Sequence, residues 1–480
     1  MVICRQSPLI IPAQYNRQMR IEISNSTLTV IDPSSDMVDF VSTNLVYTDK
    51  SKQYQLKRMA GNSWRRNSKF FQDLKDQIKG QLWTERSDGA LELSSCFSDL
   101  ILKEFSTLQV NDLRNETGKT VALPWVKKPY DLRDYQEEAV QLMLSNPRGI
   151  INFATGLGKT LLATHMVKHY RKRSLIVCPS ESVAKQFYEQ FVECFGKVKV
   201  GYYGGGKKQI SEITIGIAAS VTKGIKDFAA ADLGLVIFDE THHTPATTFF
   251  DISQGLSGVG KVFGLTATDF RSDGKDIMIT AGAGPVLIRR DISWGVANGW
   301  LAEPYFIVQN VPTVGKDFPG DKLKSYKAHV LGSDIMKQKI EDDCRRMIMA
   351  GKKVLCLVDE VAHGQELSDK LGIPFATGLD KKSQEYVDQL NAGSIPGLIG
   401  TDSKVGEGTD TQNVDVLILA NFVASKGPVI QAVGRGLRKQ GTKTKCLVLD
   451  YIPQGSTMLS RHAMNRIKFY KEITKKVKIV

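Results

Sequence analysis

The sequence predicts an α/β protein in which two consecutive units, each built on a parallel sheet, follow a small α+β module. From about residue 130 to 300, the short apolar runs "GIINFA", "SLIVCP", "ITIGIAAS", "LGLVIFDE" and "KVFGLTAT" are separated by segments of helical spacing. A second series, "KVLCLVD", "IPGLIGTD", "VDVLILAN" and "TKCLVLDY", repeats that texture from about 350 to 450. Runs that are apolar without alternation suit strands covered on both faces, and strand–helix alternation suits a parallel sheet. The length of 480 residues agrees, since roughly 150 residues per domain gives about three domains.

The first 125 residues have a different texture. "QMRIEISNSTLTVID" alternates polar and apolar residues like a strand, and "SSDMVDFVSTNLV" has helical spacing behind a capping Ser-Ser-Asp. "KQYQLKRMAGNSWRRNSKFF" then mixes basic and aromatic residues. The basic tail "RHAMNRIKFYKEITKKVKIV" has helical spacing and is expected to dock on the last unit. The expected units are therefore 1–125, 126–303 and 304–480.

Composition narrows the function classes. The formal charge of +13 favours a polyanionic partner, most often nucleic acid. Seven scattered cysteines form no CxxC pair, so neither a zinc ribbon nor a disulfide framework is expected. No apolar run approaches the ~18 residues of a membrane span, and the N-terminus lacks a signal-peptide layout. An intracellular protein without a membrane partner is expected.

The segment "INFATGLGKT" ends a strand-like run and opens a helix-like one. Glycines let backbone N–H groups turn inward around phosphates, and a helix N-terminus adds partial positive charge. Gly158, Lys159 and Thr160 supply the end of this loop: Lys159 can reach β- and γ-phosphates, and the Thr160 hydroxyl can hold Mg²⁺. The strict pattern begins with Gly where Phe153 stands.

Nucleotide hydrolysis needs a second group at another strand end, and "VIFDETHH" supplies it. Asp239 can coordinate Mg²⁺ and Glu240 can polarise an attacking water. The adjacent His242 and His243 lack the i, i+4 spacing and the third ligand of a zinc site. They remain a solvated or structural pair, or His242 relays between nucleotide and another element.

Taken together, "FATGLGKT", "DETH", "LTAT" and "QAVGRGLR" resemble, in order and spacing, the motifs of superfamily 2 helicases and translocases of the DEXH branch, over about residues 130 to 450. The resemblance implies two RecA-like domains with ATP and Mg²⁺ in the cleft between them and a nucleic-acid strand crossing both. It assigns nucleotide binding to Arg133, Gln136, Thr155, Gly156, Gly158, Lys159 and Thr160, with Gly408 and Asp410 from the second domain. Catalysis falls to Lys159, Asp239, Glu240, Gln431, Arg435 and Arg438, and coupling to His242, Thr266 and Thr268. The two arginines, spaced Arg-x-x-Arg, are expected on one face of a helix. Trp294 and Trp300 are expected to pack in the core.

Nucleic-acid contacts are expected from Pro179, Ser180, Gly205, Lys207, Lys208 and Thr401, and from Arg65 and Arg66 in the first module. The first module, "GGGK" and "VIQAVGRGLRK" resemble the compact group of phage UvsW-like and XPB-like helicases. That resemblance implies a monomeric ATP-dependent motor on forked or junction DNA, with recombination or replication proteins as further partners. RNA helicase, restriction-type translocase subunit and non-hydrolysing ATP-dependent clamp are the alternatives.

Overall fold

The computed structural model describes residues 19–60, 69–240, 246–256, 258–267, 275–377, 382–401, 411–422, 426–439, 441 and 443–480. Three principal sheets follow one another along the chain.

The first sheet holds, in spatial order, strands Trp83–Glu85, Leu91–Ser94, Thr27–Ile31, Arg20–Ile23 and Gln109–Asp112. Its expected single strand is divided in two. Ser24 Oγ accepts from Thr27 N at 2.9 Å, and Arg20–Ile23 folds back antiparallel on Leu28–Ile31. A hydroxyl that bonds its own neighbouring backbone favours a turn over continued extension, which alternation alone does not reveal. The helix Ser35–Asn44 forms as expected, with Ser34 Oγ accepting from Met37 N.

The second sheet runs Lys207–Lys208, Val200–Gly204, Ile213–Ile217, Ser174–Cys178, Leu235–Asp239, Lys261–Thr266, Arg148–Phe153 and Val286–Arg290. Every pairing is parallel except the short hairpin that brings Lys207 opposite Gly204. The third is parallel throughout: Phe375–Ala376, Gly397–Thr401, Val354–Val358, Val416–Ala420, Lys445–Pro453, Glu303–Val311 and Val477–Ile479. The nine runs noted in the sequence all form strands of these two sheets, buried because helices cover both faces. The basic tail divides: Thr457–Ile473 is the docked helix, and Val477–Ile479 extends the sheet beside Phe306–Val308.

The first module is seated on the second sheet's domain. Ala281, on helix Asp276–Ala283, belongs to the same buried cluster as Ile21, Val30 and Phe97, with Phe250 and Ile277 packed against it. Ser94 Oγ donates to Ala281 O at 2.6 Å, and the buried Arg148 guanidinium donates to Val259 O at 3.0 Å and to Asn25 O. Lys275 pairs with Asp49 at 2.7 Å with both side chains largely buried.

A candidate ATP site between the two parallel-sheet domains

In an open parallel sheet, ligands gather beyond the carboxyl ends of the strands. Strands Leu235–Asp239, Lys261–Thr266 and Arg148–Phe153 are neighbours here, with Asp239 opposite Leu265 and Thr266 opposite Asn152. Asp239, Thr266 and the phosphate loop after Phe153 therefore emerge side by side.

The loop turns into helix Lys159–Tyr170 through Gly158, whose φ is +82°. The backbone conformation calls for glycine there, and a Cβ at Gly158 would also press on the Gln136 amide, 2.4 Å from its Nε2. Gln136 locks the loop: its Nε2 donates to Leu157 O at 2.9 Å, and its Oε1 accepts from Arg133 N at 3.0 Å. The Arg133 guanidinium lies 4.5 Å from the Trp300 ring centroid, within cation–π range. No side chain caps this helix, so its first N–H groups face the loop as an anion site.

Lys159 Nζ stands 3.0 Å from Glu240 Oε1 and donates to Phe153 O at 3.3 Å. Glu240 has φ +48°, a conformation that costs an ordinary side chain on the order of 1–3 kcal/mol and clusters at functional sites. Asp239 is buried, and its carboxyl is pushed up to about 7 by burial and by the adjacent Glu240, with Lys159 opposing. A carboxylate so disfavoured by its surroundings is relieved by a cation. With the Thr160 hydroxyl lining the same cleft, the donors are hard oxygens of the kind that hold Mg²⁺ with nucleotide phosphates. Among the described residues, no cluster of three His, Cys, Asp or Glu could hold a metal alone.

The second domain closes the other wall. Gln431 and Arg435, both buried on helix Lys426–Gly436, line a cleft of about 1270 Å³ together with Arg438, Thr155, Gly156, Lys159, Thr160, Asp239 and Glu240. Arg438 is not on that helix, as its spacing had suggested. The helix ends at Gly436, whose carbonyl accepts from Lys443 Nζ at 2.6 Å, while Leu437 O accepts from Ala302 N at 2.8 Å. The first bond lies within the second domain and the second comes from the segment leading into it; the chain has left the helix there, yet both arginines still meet the cleft.

A family model described as "Type III restriction enzyme, res subunit" matches residues 129–271. The chain is 25% identical over 426 residues to the DNA 3'-5' translocase XPB2 of Sulfurisphaera tokodaii, covering 78% of this chain and 93% of that protein. It is 25% identical over 348 residues to the ATP-dependent DNA helicase uvsW of phage T4, covering 66% and 68%. The chain thus resembles the UvsW-like and XPB-like groups of superfamily 2 helicases. It spans about half the length of two further relatives, from Halobacterium salinarum (56%) and Haloarcula marismortui (51%). A solved structure of Saccharomyces cerevisiae Dbp5 bound to RNA and ADP BeF3 is 13% identical over 80% of this chain and 94% of its own, with a TM-score of 0.52; that likeness concerns the fold alone.

Among the described residues, the expected site residues fall into three groups. Arg133, Thr155, Gly156, Gly158, Lys159, Thr160, Asp239, Glu240, Gln431, Arg435 and Arg438 line one cleft, and Gln136 braces it from beneath the loop. Ser180 caps helix Glu181–Phe195, and the Gly205 turn lies beside that helix start, since a Cβ on Gly205 would be 3.4 Å from Glu181 Oε1. This brings Pro179, Ser180 and Gly205 together, with Lys207 and Lys208 exposed on the following strand. Thr266 and Thr401 are buried at strand ends. Arg65, Arg66, His242, Thr268, Gly408 and Asp410 lie outside the described residues.

The sequence reasoning missed Gln412 and Lys439, which also line the cleft. Lys439 directly follows the arginine motif, a signal that was available. Gln412 had none, because its backbone is placed by Asn391 Oδ1, which accepts from Gln412 N at 2.7 Å. Trp294 and Trp300 do pack against Tyr135, at 5.1 and 5.6 Å between ring centroids, but Trp300 also forms part of the cleft wall.

Proposed function

We propose that the chain is an ATP-dependent DNA helicase or translocase acting on forked and junction DNA. The observation that carries the reading is the approach of Lys159 to Glu240 at 3.0 Å in a cleft whose opposite wall presents Arg435 and Arg438. In this reading Lys159 and the loop amides hold the phosphates, and Glu240 orients and takes a proton from the attacking water. Arg435 and Arg438 meet charge developing on the γ-phosphate. Thr160 and Asp239 would hold Mg²⁺, which when bound neutralises phosphate charge. Hydrolysis is thereby confined to the closed arrangement of two domains, which turns a chemical step into relative motion.

DNA as substrate is supported by the relatives named DNA translocase and DNA helicase and by the +13 charge. The direction in the archaeal relative's name supports 3'-to-5' movement. Residues 1–125 serve as the DNA-gripping unit, and 126–303 and 304–480 as the motor. The test is ATPase stimulation by single-stranded DNA, forked DNA, a four-way junction and RNA at one salt concentration. Branched DNA is expected to stimulate most; stimulation by RNA alone would overturn the substrate assignment.

A further inference from the structure

Positive charge is concentrated in one place on this chain. Residues 50–81 contain nine Lys or Arg and two Asp, a net +7 out of the +13 of all 480 residues. Within that segment, helices Lys50–Ala60 and Lys69–Asp76 pack on one another as a hairpin. The hairpin is rooted in a two-stranded sheet, where Val46, Tyr47 and Thr48 pair antiparallel with Gln81, Gly80 and Lys79. Asp49 fixes the root further, accepting from Lys52 N at 3.0 Å while pairing with Lys275 of the first motor domain. The hairpin thus stands at a set position relative to the ATP cleft.

Two aromatic residues of this hairpin are largely exposed: Tyr54 is 57% and Phe70 is 62% exposed. Lys50 and Lys57 are exposed one helical turn to either side of Tyr54, and Lys75 and Lys79 are exposed in the same segment. Lysines alone would suit any polyanion, and exposed rings alone any apolar partner. Their combination is the chemistry of unpaired nucleic acid, in which phosphates meet ammonium groups and bases stack on rings.

We propose that this hairpin is the surface on which a DNA branch point docks, its lysines on the phosphates and an unpaired base stacked on Tyr54 or Phe70. The inference rests on the DNA-motor reading and adds to it the residues that recognise the branch. It accounts for a motor that distinguishes a fork from a single strand without reading sequence, because every base offers a π-face.

The test uses the full chain and a fork carrying 2-aminopurine at the branch. Stacking on Tyr54 or Phe70 quenches its fluorescence. One of Tyr54→Ala and Phe70→Ala is expected to remove the quench and weaken fork binding about 5- to 100-fold, the range alanine substitution gives for base–aromatic stacking. Tyr54→Phe and Phe70→Tyr keep a ring and restore both. ATPase stimulated by single-stranded DNA stays at the wild-type level in all four. Lys57→Gln lowers the slope of log affinity against log salt by about 1. A retained quench with unchanged fork affinity in both alanine variants overturns the proposal, as does equal loss of fork and single-strand responses. Rescue of the alanine phenotype by apolar Leu at both positions would point instead to a protein partner and also overturn it. A wild-type chain unresponsive to any DNA would overturn the DNA-motor reading itself, a different result from a responsive wild type with indifferent hairpin variants.

Discussion

A Cβ placed on Gly434 would stand 2.8 Å from the Cβ of Thr155. The arginine-bearing helix of the second motor domain therefore rests directly on the phosphate loop of the first. The atom it would strike is the root of a side chain, which has no freedom to swing aside. Overpacking of this kind costs about 1–3 kcal/mol. Gly434→Ala is expected to slow DNA-stimulated ATPase about tenfold or more while leaving nucleotide affinity nearly unchanged. Steady-state turnover beside titration with a fluorescent ATP analogue checks this, and wild-type turnover would show that hydrolysis does not need the close approach.

Glu240 and Arg435 approach the proposed γ-phosphate position from opposite walls. Glu240→Gln keeps the shape but loses the proton acceptor, with an expected loss of about 10²-fold or more in turnover. Arg435→Ala removes the cation from the second domain, a change worth about 10³–10⁵-fold in related phosphoryl-transfer sites. Both variants should still bind ATP. Lys159→Ala should lose nucleotide binding as well, and normal turnover in that variant would contradict the motor reading.

The Asp49–Lys275 pair joins the first module to the motor. Removing one partner of a buried pair leaves an uncompensated charge and costs about 3 kcal/mol. Asp49→Asn and Lys275→Met should each lower the melting temperature. The double variant should lose less than the two combined, with a coupling of about 0.5–3 kcal/mol. Additive losses would mean that the ion pair contributes nothing of its own. Point variants are the sharper tool here, since deleting the module would uncover Phe250, Ile277 and Ala281 and take an acceptor from Arg148.

His363 makes the second motor domain acid-sensitive. Burial holds its pKa down to about 4, and its Nδ1 lies 3.0 Å from Tyr326 Oη, which also donates to Ala420 O. The folded state refuses a proton that the unfolded chain accepts below an ordinary value of about 6.5. Stability is therefore retained above pH 6.5 and lost as pH falls toward 4, by roughly 3 kcal/mol over the window. His363→Gln should flatten this part of the stability–pH curve in denaturant titrations at pH 7.5, 6 and 5. An unchanged curve would place the acid sensitivity elsewhere.

Much of the site was legible because its signals are local. A strand ending in glycines and followed by a helix places Lys159 within a few residues of the group that orients it, and Asp239 ends its own strand. The Ser24–Thr27 turn was hidden because alternation reports which face a residue occupies and not whether the chain reverses. The break before Arg438 was hidden because its cause, the bond from Ala302 N to Leu437 O, comes from a residue far along the chain.

The sequence by itself determined the candidate nucleotide-site residues, through residue types whose spacing is set by one strand, one turn and one helix. Only the tertiary structure decided that Gly434 would meet Thr155, that Trp300 would lie under Arg133, and that Asp49 would tie a basic, aromatic hairpin to Lys275. Those pairings join distant segments, and no periodicity records them. They follow from which buried faces the sheets and helices must cover together.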